Sequence, residues 1–385
     1  EHIAALAHHW KQAGDRAQEA RYVAQAGQQA LASGAYQKAL ALLERALALE
    51  TLLDGVTAAR LRLALGETCY GLGEYDRAQR LLMEATDRFE AQRDAKGIAH
   101  SLRLLGNIAL ALGSYDDARD WLRRGLAIAR EAEDQLEAGR LLRALGLVAQ
   151  TVGDYAEARR CFEESLSILT DTGDQTGMAG ALSNLASIAH VDGQFEEARR
   201  LYEQALSHFE AVGFTWGVAY TLTSLGETEE ALGNLTRARE LHQQALTLCR
   251  EIGHRWGAAL ALHNLGRACL ALEIYGEAHQ ALAEAFAIAR EIQTTPLALA
   301  ILTTYANLLA TAGADVEAGA LLVFVMHHPQ VEQDTLQTAR KFATALQQRL
   351  SPPAWQAATE RGKSLRLETV EALLFVDQAA DAPPN

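Results

Sequence analysis

The octapeptide LGSYDDAR at residues 112–119 returns as VGDYAEAR at 152–159 and as DGQFEEAR at 192–199. Aligned on its aromatic, the motif puts Tyr36, Tyr75, Tyr115, Tyr155, Phe195, Leu235, Tyr275 and Asp315 in one column, with a first step of 39 residues and every later step of 40. Three residues on, every copy carries alanine: Ala39, Ala78, Ala118, Ala158, Ala198, Ala238, Ala278 and Ala318. Ten residues before the aromatic stands Leu65-Gly66, Leu105-Gly106, Leu145-Gly146, Leu225-Gly226 or Leu265-Gly266, with Leu185-Ala186 as a near match. A period this strict admits few folds, because each unit is too small to bury its own apolar face and must stack on the next.

Each copy reads as two antiparallel helices. Around Tyr115 the first is predicted from about Lys96 to Leu112, with Leu102, Leu105, Ile108 and Ala109 on one face, and the second ends near Glu131. Asp54, Asp94, Asp134 and Asp174 share the register that precedes a first helix, where a carboxylate accepts a bond from an orphan N–H. Gly113 ends the first helix, and Ser114 with Asp117, like Asp154 with Glu157, forms a capping-box pattern for the second. Gly106 and Ala118 allow two backbones to approach closely, with Tyr115, Leu122 and Leu126 expected to fill the seam. Only 6 prolines in 385 residues favour helix throughout, since proline costs about 3 kcal/mol inside one.

The Leu-Gly pair, the Gly-x-Tyr turn and the alanine three residues later resemble the tetratricopeptide repeat, lengthened here from about 34 residues to 40. The resemblance covers residues 16–326 and implies an all-α, right-handed α-solenoid of about eight helix hairpins. Glu273 stands where a turn glycine is expected and Asp315 where the aromatic belongs, so the last two copies are expected to be less regular. The opening LAHHWKQAGDRAQEARYVAQAGQQAL is similar to the entry into the tetratricopeptide array of bacterial STAND-type signalling ATPases, and LSPPAWQAATERGKSLRLETVEALL to the helical cap that closes such arrays. This implies an entry helix over 1–15, an array over 16–326, a helical cap over 327–376 and a disordered tail over 377–385. It also implies a sensor arm for an upstream nucleotide-binding switch, and the start at Glu1 without methionine suits a missing upstream domain.

Composition narrows the partners. The chain is 49% hydrophobic with a mean hydropathy of −0.07, enough apolar content for a large core. A net charge of −14 opposes direct nucleic-acid binding, which depends on cations displacing counterions from phosphates. No run reaches the roughly 18 apolar residues of a membrane span, and no signal peptide is present, so no membrane partner is expected. Cys69, Cys161, Cys249 and Cys269 form no CxxC pair, which fits a reducing cytoplasm.

The motifs for catalysis are weak. AATERGKS at 357–364 imitates a phosphate loop, but the segment before it reads as a helix opened by proline, with Gly362 as its C-terminal cap. His8-His9 and His327-His328 are adjacent pairs, which point about 100° apart on a helix and lack the i, i+4 spacing of a zinc site. There is no GxSxG, and Cys69 and Cys269 read as small core residues. Trp216 and Trp256 recur at one register and read as packing between loops. A non-enzymatic protein without cofactor or metal is expected.

In the tetratricopeptide family the concave groove is lined by first-helix residues, which implies His100, Arg103 and Asn107 in one copy, and Arg140, Arg143, Leu147 and Gln150 in the next. Farther on, the same registers give Ser183, Ser187 and His190, then Tyr220, Glu227 and Glu230, then His263 and Arg267. Two accounts of these charges stand. One is a groove that binds a protein segment or a small effector, in a sensor arm or in a free-standing scaffold. The other is a lattice of ion pairs between repeats, such as Glu67 with Arg103 or Glu227 with Arg267, each worth at most about 1 kcal/mol when exposed.

Overall fold

The structure, a computed structural model, describes residues 2–370, and among these all regular structure is helical. The tail expected over 377–385 lies outside the described residues. The chain forms two compact units, residues 1–188 and residues 189 onward. The first holds α1 (His2–Ala13) and the hairpins α2 (Arg16–Ala32) with α3 (Tyr36–Leu47), α4 (Gly55–Gly71) with α5 (Tyr75–Gln92), α6 (Ala95–Ala111) with α7 (Tyr115–Glu131) and α8 (Gln135–Thr151) with α9 (Tyr155–Thr172). Helix α10 (Gln175–Val191) carries the boundary. The second unit continues with α11 (Phe195–Val212), α12 (Thr215–Ala231) with α13 (Leu235–Glu251), and α14 (Arg255–Ala271) with α15 (Tyr275–Glu291). It then adds α16 (Thr295–Thr311) with α17 (Asp315–His327), followed by α18 (Gln333–Arg349) and α19 (Pro352–Ser364), which both pack on α17.

The caps explain where helices start. Asp54, Asp94, Asp134 and Asp174 each accept from the backbone N–H three residues on, at 2.9 to 3.2 Å. Asp154 does the same for α9 at 3.0 Å, but Ser114 makes no side-chain cap bond, so that half of the capping-box expectation is corrected. Asp116 and Asp117 in the first turn of α7 already oppose the helix dipole. The hairpin turns run through a left-handed residue, Gly113 at φ 77° and Gly153 at φ 85°, and Glu273 adopts the same conformation at φ 61°. The copy around Tyr275 is therefore as regular as its neighbours, against the expectation, because the turn is fixed by its backbone bonds. Among the second helices of the hairpins, α3 with 12 residues and α17 with 13 are shortened.

Packing across the hairpins that carry the register glycine is a knob on that glycine. A Cβ on Gly106 would stand 2.5 Å from Leu122, on Gly66 2.8 Å from Leu82, on Gly146 2.5 Å from Phe162 and on Gly266 2.6 Å from Leu282. In the second unit the knob opposite Gly226 is His242, fully buried, with its Nδ1 lacking a hydrogen-bond partner. Ala118 and Leu122 are completely buried, whereas Tyr115 is 38% exposed and sits at the rim instead of inside the seam. In the segment of the expected cap, Trp355 and Ala358 fall 40 residues after Asp315 and Ala318 and Ala358 is fully buried, but α18 and α19 both pack on α17 rather than chiefly on each other. Gly362 is not a helix cap but lies inside α19, where a Cβ would meet the Ala320 carbonyl oxygen at 2.5 Å. The phosphate-loop look-alike is thus the last two turns of a packed helix.

Candidate functional site

Helical register stacks side chains from successive first helices. On α4, α6 and α8 one register carries Arg60, His100 and Arg140, and the register three residues on carries Leu63, Arg103 and Arg143. These residues, with Lys96 and Glu67, line a cavity of about 870 Å³ in the first unit. Five cations border it against the carboxylates of Glu67, Asp94 and Asp174. Sequence reasoning missed Arg60 and Lys96, although Arg60 stands one repeat before His100.

The cations are not equivalent. Arg103 Nε donates to Glu137 at 2.6 Å, and Arg140 Nε to Asp174 at 3.0 Å. Glu137 is only 6% exposed; burial raises its pKa, but the charge and hydrogen bond of Arg103, with Arg140, hold it below the ordinary carboxylate value. Among the described residues Arg143 forms no ion pair, and its buried Nε has no hydrogen-bond partner. Its guanidinium lies over Gly180 of α10, where a side chain would press on it at about 3.4 Å. Burial, then the charges of Arg103 and Arg140, push the Arg143 pKa down. Arg60 is exposed and unpaired among the described residues. Burial and Arg103 lower His100 to about 4, so it is neutral, and its 3.8 Å approach to Glu67 is not an ion pair.

The expected partners need correction. Arg103 pairs with Glu137 rather than Glu67, and Arg267 with Glu230 at 2.8 Å rather than Glu227, which accepts from Asn264 at 2.8 Å. Glu137, buried deeper than Glu67, claims the cation because an unpaired charge there is costly. In the second unit His190, Glu227, Glu230 and Arg267 border a cavity of about 450 Å³. His190 Nδ1 meets Thr228 Oγ1 at 3.0 Å. His263, lowered to about 3 by burial, faces Thr304 Oγ1 through Nε2 at 2.9 Å and lines a different cavity with Arg267. Tyr220 is 47% exposed beside Trp216. Asn107 is half-buried, and Gln150 is engaged with Ser187 Oγ at 3.0 Å. Of the predicted residues, His100, Arg103, Arg140 and Arg143 are brought together in the first unit and His190, Glu227 and Arg267 in the second, whereas Asn107, Gln150 and Tyr220 border none of these cavities.

Other singled-out residues have structural partners. His327 Nδ1 meets the Val323 carbonyl at 2.8 Å, and His328 accepts from Gln330 N–H at 3.2 Å. The four cysteines are buried, and burial pushes the Cys69 thiol up to about 11. Trp216 stacks on His254 at 4.1 Å, while Trp256 is 40% exposed. His254 stands where earlier repeats carry aspartate and caps α14 by accepting Gly257 N–H on Nδ1 at 3.0 Å.

Protonating Nδ1 removes that acceptor and puts a cation at a helix N-terminus. Burial holds the folded pKa below the ordinary value of about 6.5. The stabilisation is therefore present above that value and lost as pH falls through the lower folded pKa. Between pH 7.5 and 5, the melting temperature of the wild type should fall further than that of His254→Asp. Parallel pH profiles would show that the imidazole cap contributes nothing.

Stacked hairpins, with a glycine seam inside and polar first-helix faces turned into cavities, define a helical-repeat protein. The chain belongs to the tetratricopeptide repeat family: profiles described as tetratricopeptide repeat match residues 97–171 and 217–291, 30–102, and 178–208. No curated protein matches the chain. Among solved structures it is similar to the apo form of the quorum sensor NprR from B. thuringiensis, at 14% identity and TM-score 0.62, covering 92% of this chain and 98% of that one. It is also similar to the Rap conjugation gene regulator of the plasmid pLS20 in complex with the Phr* peptide, at 17% identity and TM-score 0.61, covering 75% and 78%. A STAND protein with a tetratricopeptide repeat sensor from Pyrococcus horikoshii matches at 16% identity and TM-score 0.54, over 74% of this chain and 44% of that one. At these identities the likeness is one of fold. Among the described residues no helix is long and apolar enough to cross a membrane.

Proposed function

We propose that the chain is a non-enzymatic, ligand-sensing and protein-interaction arm of a cytoplasmic signalling protein. It takes an acidic protein segment or small effector in the cavity of the first unit and passes the event to an upstream NTPase switch. The observation that carries this reading is Arg143: a cation whose buried Nε lacks a partner, in a cavity where Arg60 is also unpaired. An anion there would supply the missing acceptor and relieve the repulsion among Arg103, Arg140 and Arg143. The pLS20 Rap regulator, a neighbour in fold, holds a peptide, and the STAND neighbour joins a tetratricopeptide sensor to an ATPase. The free-standing scaffold remains the competing reading. A phosphate loop encoded upstream of Glu1 would favour the switch.

The test is binding of acidic peptides, screened by fluorescence anisotropy. A charge-assisted hydrogen bond contributes about 1.5–3 kcal/mol, so Arg143→Ala should weaken a hit about tenfold or more. Arg124→Ala, on the exposed face of α7 and paired with Glu90, should leave it unchanged. Equal binding by the two variants, or an effect of Arg143→Ala on melting alone, would sink the groove assignment.

A further inference from the structure

We propose that the cavity between α14, α16 and α18 is a second binding site, specific for a small organic cation carrying an apolar group. It encloses about 760 Å³, within the range of small-molecule sites. Its lining is built for the opposite charge from the first unit's cavity. Arg267 is its one arginine or lysine, and Glu230 neutralises it at 2.8 Å. His263 carries no charge, being buried against Thr304. What remains is acidic: Glu273 and Asp334 line the cavity and have no ion-pair partner among the described residues.

The remaining lining supplies the other contacts such a ligand needs. The rings of Tyr275 and Phe342 border the cavity, and Tyr275 is 43% exposed. Aromatic faces attract ammonium groups and cover an apolar stem. The Asn307 amide and the Thr338 hydroxyl make no hydrogen bond within the described chain, so both are available to a bound donor. Glu273 holds a left-handed backbone, φ 61°, at the turn where Gly34, Gly73, Gly113, Gly153, Gly193, Gly233 and Gly313 serve the other hairpins, as Arg93, Glu133 and Gln293 do at turns between hairpins. A non-glycine residue there is unfavourable, and the carboxylate it keeps borders the cavity.

This site stands independently of the anion site in the first unit, and the test separates them. Calorimetric titration of the full chain with phenethylammonium, 2-phenylethanol and 3-phenylpropionate varies only the head group. The ammonium should bind saturably, at least tenfold tighter than the carboxylate, and more weakly as salt rises. The double variant Glu273→Gln, Asp334→Asn, both exposed and near-isosteric changes, should lose at least tenfold in ammonium affinity with helicity intact, whereas Arg143→Ala should lose none. No saturable ammonium binding, equal binding of the carboxylate, undiminished binding by the double variant, or loss in Arg143→Ala would each overturn the assignment.

Discussion

Gly106→Leu should lower stability by about 3 kcal/mol, the upper end of what overpacking a core costs. Removing a mid-helix glycine would by itself gain about 1 kcal/mol of helix propensity. The seam decides the sign. A Cβ at 106 would stand 2.5 Å from Cγ of Leu122 and 3.3 Å from the Ala118 carbonyl oxygen, and Leu122 is fully buried with nowhere to turn. Relief requires α6 and α7 to separate. Because each hairpin is stabilised by its neighbours, hydrogen exchange should accelerate beyond those two helices into α8. An unchanged urea midpoint would show that Gly106 is not a contact point.

Glu137→Ala should cost about 3–5 kcal/mol, the range for removing one partner of a buried ion pair. Its carboxylate is 7% exposed and holds Arg103, itself 13% exposed, at 2.6 Å. The variant leaves a guanidinium in a half-closed cavity beside Arg140 and Arg143, with one counter-charge fewer. Adding Arg103→Leu should recover much of the loss, because the cost lies in the unpaired charge rather than in the missing bond. A loss under about 1 kcal/mol for the single variant would mean that the pair behaves as an exposed one.

What the sequence made legible was whatever repeats. The column of Tyr36 to Tyr275, the alanines and the Leu-Gly pairs specify a seam that recurs from step to step, so one copy explains most of the others. The aspartate caps were legible for the same reason, because their acceptor is local. What stayed hidden depends on neighbours across space. Ser114 has the residue type of a cap without its bond, and Gly362 owes its place to the Ala320 carbonyl on another helix. The partner of Arg103 turned on burial of Glu137, which spacing does not reveal. Glu273 looked like a defect because a left-handed residue other than glycine is rare, yet the turn imposes that conformation. In the site, Arg103, Arg140 and Arg143 were legible from register, but that Arg143 alone of the three lacks a partner was not.

Trp355 and Ala358 keep the phase of a column that starts at Tyr36 and Ala39. α18 and α19 nonetheless do not close on each other as the earlier hairpins do: both lie against α17, and Gly362 of α19 meets the Ala320 carbonyl oxygen there. Such a molecule has an unusual evolutionary grammar. Unequal recombination between two copies inserts or deletes a whole hairpin and leaves every remaining junction in register, while a slip of one residue would rotate a helix face by about 100° and misplace its glycine. Length is therefore free to drift between descendants in quanta of one hairpin, and cavity chemistry can diversify copy by copy on the first-helix faces while the seam stays under constant constraint.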